Sequence, residues 1–131
     1  MKRLLNLLFC LLLASYLYAP ARNELVILQP EPINPYEPLW RAVCQVESSG
    51  NPFAVNEAEQ AYGLAQIRQI RLDDYAQRTG KVYTLTDCFD KKISKEIFMY
   101  FASGTYEQTA RNWNGKWELT EEYWKKVKQH L

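Results

Sequence analysis

Glu47 is the residue in this chain best placed to move a proton. It closes an apolar helical run and is followed by Ser48-Ser49-Gly50-Asn51-Pro52, a sequence that stops a helix. A second stretch, Tyr62-Gly63-Leu64-Ala65-Gln66-Ile67, supplies a glycine that permits close backbone approach and a short amide side chain. An acid beside a glycine-lined wall suits protonation of an oxygen in a bound ligand. The sole histidine, His130, stands next to the C-terminus. That excludes a Ser-His-Asp or Cys-His apparatus and a histidine-rich zinc site. Acid–base work therefore falls to carboxylates, tyrosines or lysines.

Three segments recur in a telling order. Glu47-Ser48-Ser49-Gly50-Asn51-Pro52 comes first and Gly63-Leu64-Ala65-Gln66-Ile67 second. Ala110-Arg111-Asn112-Trp113-Asn114-Gly115 follows, with Tyr123-Trp124-Lys125-Lys126-Val127 behind it. Together they resemble the soluble lytic transglycosylases, over roughly residues 38–128. The resemblance implies an all-α, lysozyme-like fold, with at most a very short strand segment. It implies cleavage of the β-1,4 bond between N-acetylmuramic acid (MurNAc) and N-acetylglucosamine (GlcNAc) in peptidoglycan. It implies one glutamate, here Glu47, acting first as acid and then as base, so that 1,6-anhydro-muramyl ends result. The substrate's acetamido group would stabilise the developing positive charge, unlike the two-carboxylate scheme.

Carried over by motif, the substrate-binding residues are Ser48 beside the acid, Tyr62, Gly63, Leu64, Ala65 and Gln66 along one wall, and Trp113 with Asn114 opposite. Three departures from the family pattern stand out. Ala65 replaces the usual methionine, Trp113 stands where many members have tyrosine, and Asn114-Gly115-Lys116 lacks a second small residue. The resemblance implies peptidoglycan strands as partner, with neither cofactor nor metal. Two other readings of the same residues stay open. One is a hydrolysing muramidase with Asp73 or Asp74 as second carboxylate. The other is a glycan-binding protein without activity.

These residues need rigid supports. The spacing predicts a helix over residues 38–48, with proline in its first turn and Leu39, Ala42, Val43 and Val46 facing the core. Trp40, Cys44 and Glu47 share a neighbouring stripe, which would partly desolvate the acid and raise its pKa. A second helix is expected from near Tyr62, interrupted around residues 68–71 and running to Gly80. Residues 82–85 read as a short strand or a loop. A helix over residues 90–103 has Asp90 as cap, and another over 105–114 has Thr105 as cap and Gly115 at its end. The last helix starts at Thr120, with acids in its first turn and lysines towards its end.

The chain of 131 residues suits one domain, and an aromatic content of 14% helps a small core. A net charge of +1 argues against nucleic acid as partner. Lys2 and Arg3 precede an apolar run from Leu4 to Leu13, and Ala19-Pro20-Ala21 offers small residues for cleavage. Residues 1–21 thus read as a signal peptide or an N-terminal anchor. Residues 22–37 read as a proline-rich extended spacer, and 38–131 as the catalytic domain. Export to the periplasm or outside the cell follows as an expectation. Membrane attachment is expected only through an uncleaved leader, and the domain is expected to act as a monomer. In that oxidising setting Cys44 and Cys88 either pair as a disulfide or stay as buried thiols.

Overall fold

The computed structural model describes residues 32–115 and 119–131. The leader over 1–21 and most of the spacer over 22–37 lie outside the described residues. Ile33–Leu131 forms one compact unit. No helix among the described residues is long and apolar enough to cross a membrane.

Helix α1 (Glu37–Ser48) is the element about which the rest packs. Pro38 sits in its first turn, where a missing N–H costs nothing. Leu39, Trp40, Ala42, Val43 and Cys44 form its buried face. Ser49 adopts a left-handed conformation, and the Ser49 and Gly50 N–H groups donate back to the Gln45 and Cys44 carbonyls. This closes the helix immediately behind Glu47.

A small hairpin follows. Strands β1 (Val55–Asn56) and β2 (Ala61–Tyr62) pair antiparallel, with Val55 opposite Tyr62 and Asn56 opposite Ala61. The second expected helix does not begin at Tyr62. Tyr62 instead exchanges both backbone hydrogen bonds with Ile67, at 2.9 and 3.0 Å, across a tight turn. Gly63 and Gln66 within that turn have φ of 77° and 50°, which a right-handed helix does not accept. Helix α2 (Gln69–Thr79) starts only after the extended Arg68.

Residues 82–84 carry no strand, and a 3-10 helix (Leu85–Phe89) follows, closed by a reciprocal Thr84–Asp87 cap. Helix α3 (Lys91–Phe101) is capped by the Asp90 carboxylate. Helix α4 (Tyr106–Asn114) is capped by a Thr105–Gln108 box and ends at Gly115. Helix α5 (Leu119–Lys128) packs on both α1 and α4. The architecture is mainly helical, with one two-stranded hairpin among the described residues.

The core runs through α1, α3, α4 and α5: Leu39, Val43, Ile97, Phe98, Ala110 and Val127 are buried. Trp40, Phe98 and Trp113 form an aromatic ladder with centroids 5.2 and 5.0 Å apart. Trp40 thus serves the core. Cys44 and Cys88 are both buried and free, not joined as a disulfide. The Cys88 thiol turns back on the Thr84 carbonyl of its own turn, 3.8 Å away. Burial pushes both thiols up to about 12, which keeps them protonated and unreactive.

Candidate active site

Glu47 emerges from the last turn of α1 into a cleft of about 430 Å³, a size suited to a small ligand. The hairpin contributes Asn56, Glu59 and Ala61 to its walls. The 63–66 turn contributes Gln66, the start of α2 Ile70 and Arg71, the end of α4 Trp113 and Asn114, and α5 Tyr123 and Lys126.

The Glu47 carboxyl is half-buried. Its Oε1 accepts a hydrogen bond of 2.7 Å from the Tyr123 hydroxyl. Burial raises the carboxyl above its usual range. The Tyr123 bond and the Arg68 charge oppose that rise, and the Glu59 charge adds to it. The Tyr123 phenol is pushed up in turn, by burial first and then by Glu47, so it remains a donor at any working pH.

Ser48 does not line the cleft. Its Oγ lies 3.0 Å from the Cys44 carbonyl and 2.9 Å from the Leu64 carbonyl, so it ties the 63–66 turn to α1. Gln66 does line it. The Gln66 amide nitrogen is held by the Ala54 and Gly63 carbonyls, at 3.2 and 3.0 Å. Its Oε1 has no partner among the described residues, which leaves an acceptor for a ligand hydroxyl or amide.

Gly63, Leu64 and Ala65 are buried and frame the site from behind. A side chain at Gly63 would strike the Cys88 carbonyl, so the close approach read from sequence is to protein backbone and not to a sugar. Tyr62 leans on Phe89, centroids 5.7 Å apart, and lies outside the cleft walls.

Trp113 and Asn114 do line the cleft. Trp113 keeps only 7% of its surface exposed. Its indole N–H donates to the Ala65 carbonyl at 3.1 Å, and the Arg71 guanidinium sits 4.9 Å from its ring. Little ring face is left for a stacked sugar, so Trp113 mainly joins α4 to the turn that carries Gln66.

Asp73 and Asp74 stand apart from Glu47. Asp73 is exposed and accepts from Gln69, Asp74 pairs with Arg78 at 2.7 Å, and neither lines the cleft. Glu59 is the second carboxylate in its walls; its side chain is 60% exposed and it pairs with Arg68 at 3.8 Å. No cluster of three or more potential metal ligands occurs among the described residues.

A half-dry carboxyl, a tyrosine donor and a glutamine acceptor thus meet where α1, the hairpin turn and α5 converge. A family model for the transglycosylase SLT domain matches residues 33–117. The chain belongs to that family. Neither the comparison with curated proteins nor that with solved structures gave a match. Membership makes the helices and hairpin a lysozyme-like SLT fold, and gives the chain a function of the lytic-transglycosylase type directed at peptidoglycan.

The SLT match ends before α5 begins, yet α5 provides the hydrogen-bond donor to Glu47. Sequence reading placed Tyr123 in the closing segment of the resemblance and gave it no part in the site. The available signal was chemical: a buried tyrosine hydroxyl must find a partner. Asn56, Glu59, Arg68 and Arg71 carried no comparable mark, since exposed polar residues on loops and helix starts are ordinary.

Proposed function

We propose that this SLT domain is a lytic transglycosylase that cleaves the MurNAc–GlcNAc bond, with Glu47 as its single acid and base. The observation that carries the reading is the Glu47 carboxyl, half-buried and held above the usual carboxylate range by desolvation. A carboxyl so placed holds its proton to higher pH than an exposed one and can deliver it. Tyr123 occupies Oε1 and leaves Oε2 for the substrate.

Glu47 protonates the bridging oxygen, and the bond from that oxygen to muramyl C1 breaks. The substrate's acetamido carbonyl supports C1 as positive charge develops. The Glu47 carboxylate then takes the proton from the muramyl 6-hydroxyl, whose oxygen bonds to C1. Glu47 is restored to its acid form and no water is consumed. Gln66 offers its free Oε1 to a sugar hydroxyl or acetamido N–H. The basic head and apolar run at residues 2–13 support export to the compartment that holds this polymer.

Mass spectrometry of muropeptides released from purified wall tests the reading. Anhydro ends, each one water lighter than the hydrolytic product, are expected. Glu59 in the cleft wall favours a second reading, hydrolysis with Glu59 positioning water, and reducing ends would select it.

Tyr123→Phe probes the support of the acid. Loss of a hydrogen bond to a charged group is worth about 1.5–3 kcal/mol, so a fall in kcat of roughly 10–100-fold is expected. The Tyr123 bond favours the ionised carboxyl. Its removal should therefore move the alkaline limb of the pH–rate profile to higher pH. A limb that stays in place would show that Tyr123 does not act on Glu47.

A further inference from the structure

The Glu47 cleft does not end at Trp113. Two further hollows, of about 460 and 440 Å³, lie beyond it, and both share Arg71 and Trp113 with the cleft. Among the described residues Arg71 is thus the one cation common to all three spaces. Its side chain is held firmly. Nη2 donates to the Asn112 and Trp113 carbonyls, at 3.2 and 3.4 Å, and the guanidinium sits 4.7 Å from the Phe101 ring and 4.9 Å from the Trp113 ring.

Burial weighs against the Arg71 charge, and Asp74, which lines both further hollows, offsets this only from a distance. Arg71 forms no ion pair among the described residues. The nearby Asp74 carboxylate is engaged by Arg78 at 2.7 Å, and Arg68 adds a second positive charge. Nε and Nη1 of Arg71 have no partner among the described residues, so part of the donor fork remains available. A half-buried, immobilised guanidinium with spare donors, at the meeting point of a groove system, fits a carboxylate ligand. Its cost in lost hydration is offset once such a ligand binds.

The substrate of the proposed reaction carries such groups. Each muramyl residue has a lactyl side arm that ends in a carboxylate or, where a peptide is attached, leads to the carboxylates of that peptide. We propose that Arg71 is a specificity-determining residue that binds a carboxylate on the muramyl side arm while the strand lies in the Glu47 cleft. This rests on the peptidoglycan reading of the cleft.

The test compares cleavage of three substrates by the full chain and by Arg71→Met and Arg71→Lys. The substrates are intact strands, strands stripped of peptide and bearing free lactyl carboxylates, and intact strands with their carboxylates amidated. The unaltered protein should lose roughly tenfold or more in kcat/KM on amidated strands, as expected for loss of a charge-assisted bond. Arg71→Met should be slow on intact strands and indifferent to amidation; Arg71→Lys should recover part of the preference. A rate kept on stripped strands shows that a free lactyl carboxylate also serves, and a rate lost there restricts the contact to the carboxylates of the peptide.

Equal rates of the unaltered protein on intact and amidated strands would overturn the proposal. So would an undiminished preference in Arg71→Met, a result that a purely structural role at the end of α4 would give. Cosedimentation with the same strands reads the same preference without turnover. If no strand is cleaved, the catalytic reading fails, and the binding comparison still decides the role of Arg71.

Discussion

Glu47→Gln should lower cleavage of purified peptidoglycan by roughly 10²–10⁴-fold, the usual contribution of a positioned acid–base group. The amide matches the carboxyl in shape but has no proton to donate to the bridging oxygen and is a poor base towards the 6-hydroxyl. Its oxygen still accepts from Tyr123, so fold and strand binding should persist. Cosedimentation with wall at the unaltered level, together with lost turnover, is the expected pair of results. Turnover retained within a factor of two or so would remove Glu47 from the mechanism.

The same substitution has a consequence for stability. Burial holds the native carboxyl above its ordinary 4.5. Well below that value both the native and the unfolded chain hold the proton, and the group contributes no pH dependence. As pH rises through 4.5 the unfolded chain releases its proton first, so stability falls until the native carboxyl ionises too, and then levels off. Glu47→Gln lacks this loss. Its Tm should exceed that of the unaltered domain near pH 8, with a difference that shrinks near pH 4. Each 1 kcal/mol corresponds to roughly 4–8 °C in a domain this small. A variant less stable near pH 8 would mean that the carboxylate is well solvated after all.

Gly63→Ala should damage the fold more than any other single methyl group added to the site. The new Cβ would lie 2.0 Å from the Cys88 carbonyl oxygen and 2.9 Å from its carbon. That carbonyl cannot easily retreat, because the buried Ser94 hydroxyl donates to it at 2.6 Å. The backbone at Gly63 also has φ of 77°, where an L side chain is strained. Strain and overpacking each cost about 1–3 kcal/mol. The expected loss of roughly 2–6 kcal/mol is a large share of the 5–15 kcal/mol typical of a domain. Chemical denaturation measures it. A loss below about 1 kcal/mol would mean that the turn shifts freely on the 3-10 helix. Because this turn carries Gln66 and accepts the Trp113 N–H through Ala65, activity should fall with stability.

The helix ends legible in the sequence were those set by local chemistry. Asp90 and Thr105 cap α3 and α4 through their own side chains, and Pro38 and Gly115 mark a start and an end that need no distant partner. The helix expected from Tyr62 failed for the opposite reason. Leu64, Ala65 and Ile67 look like a helical apolar face, but remote groups hold the turn. Gly63 N–H donates to the Ala54 carbonyl, Ser48 reaches the Leu64 carbonyl, and the Cys88 backbone abuts Gly63. Local propensity cannot weigh such contacts.

The candidate site divides in the same way. Glu47 stood out because helix-stopping residues follow an acid at once in the chain. Tyr123 lies 76 residues away, and only tertiary packing brings its hydroxyl to that acid. Ser48, Leu64 and Ala65 were grouped with the ligand wall by their place in the motifs. The structure gives them the task of holding that wall, and the nearby charges of Arg71 and Glu59 arise from surfaces with no distinctive sequence pattern.

Digestion of purified wall in water enriched in heavy oxygen tests the central claim most directly. If one carboxyl performs both proton steps and the sugar's own 6-hydroxyl closes on C1, the new muramyl ends carry no heavy oxygen. Heavy oxygen at C1 of those ends would show that water attacks, and a single-glutamate transglycosylase mechanism would be contradicted.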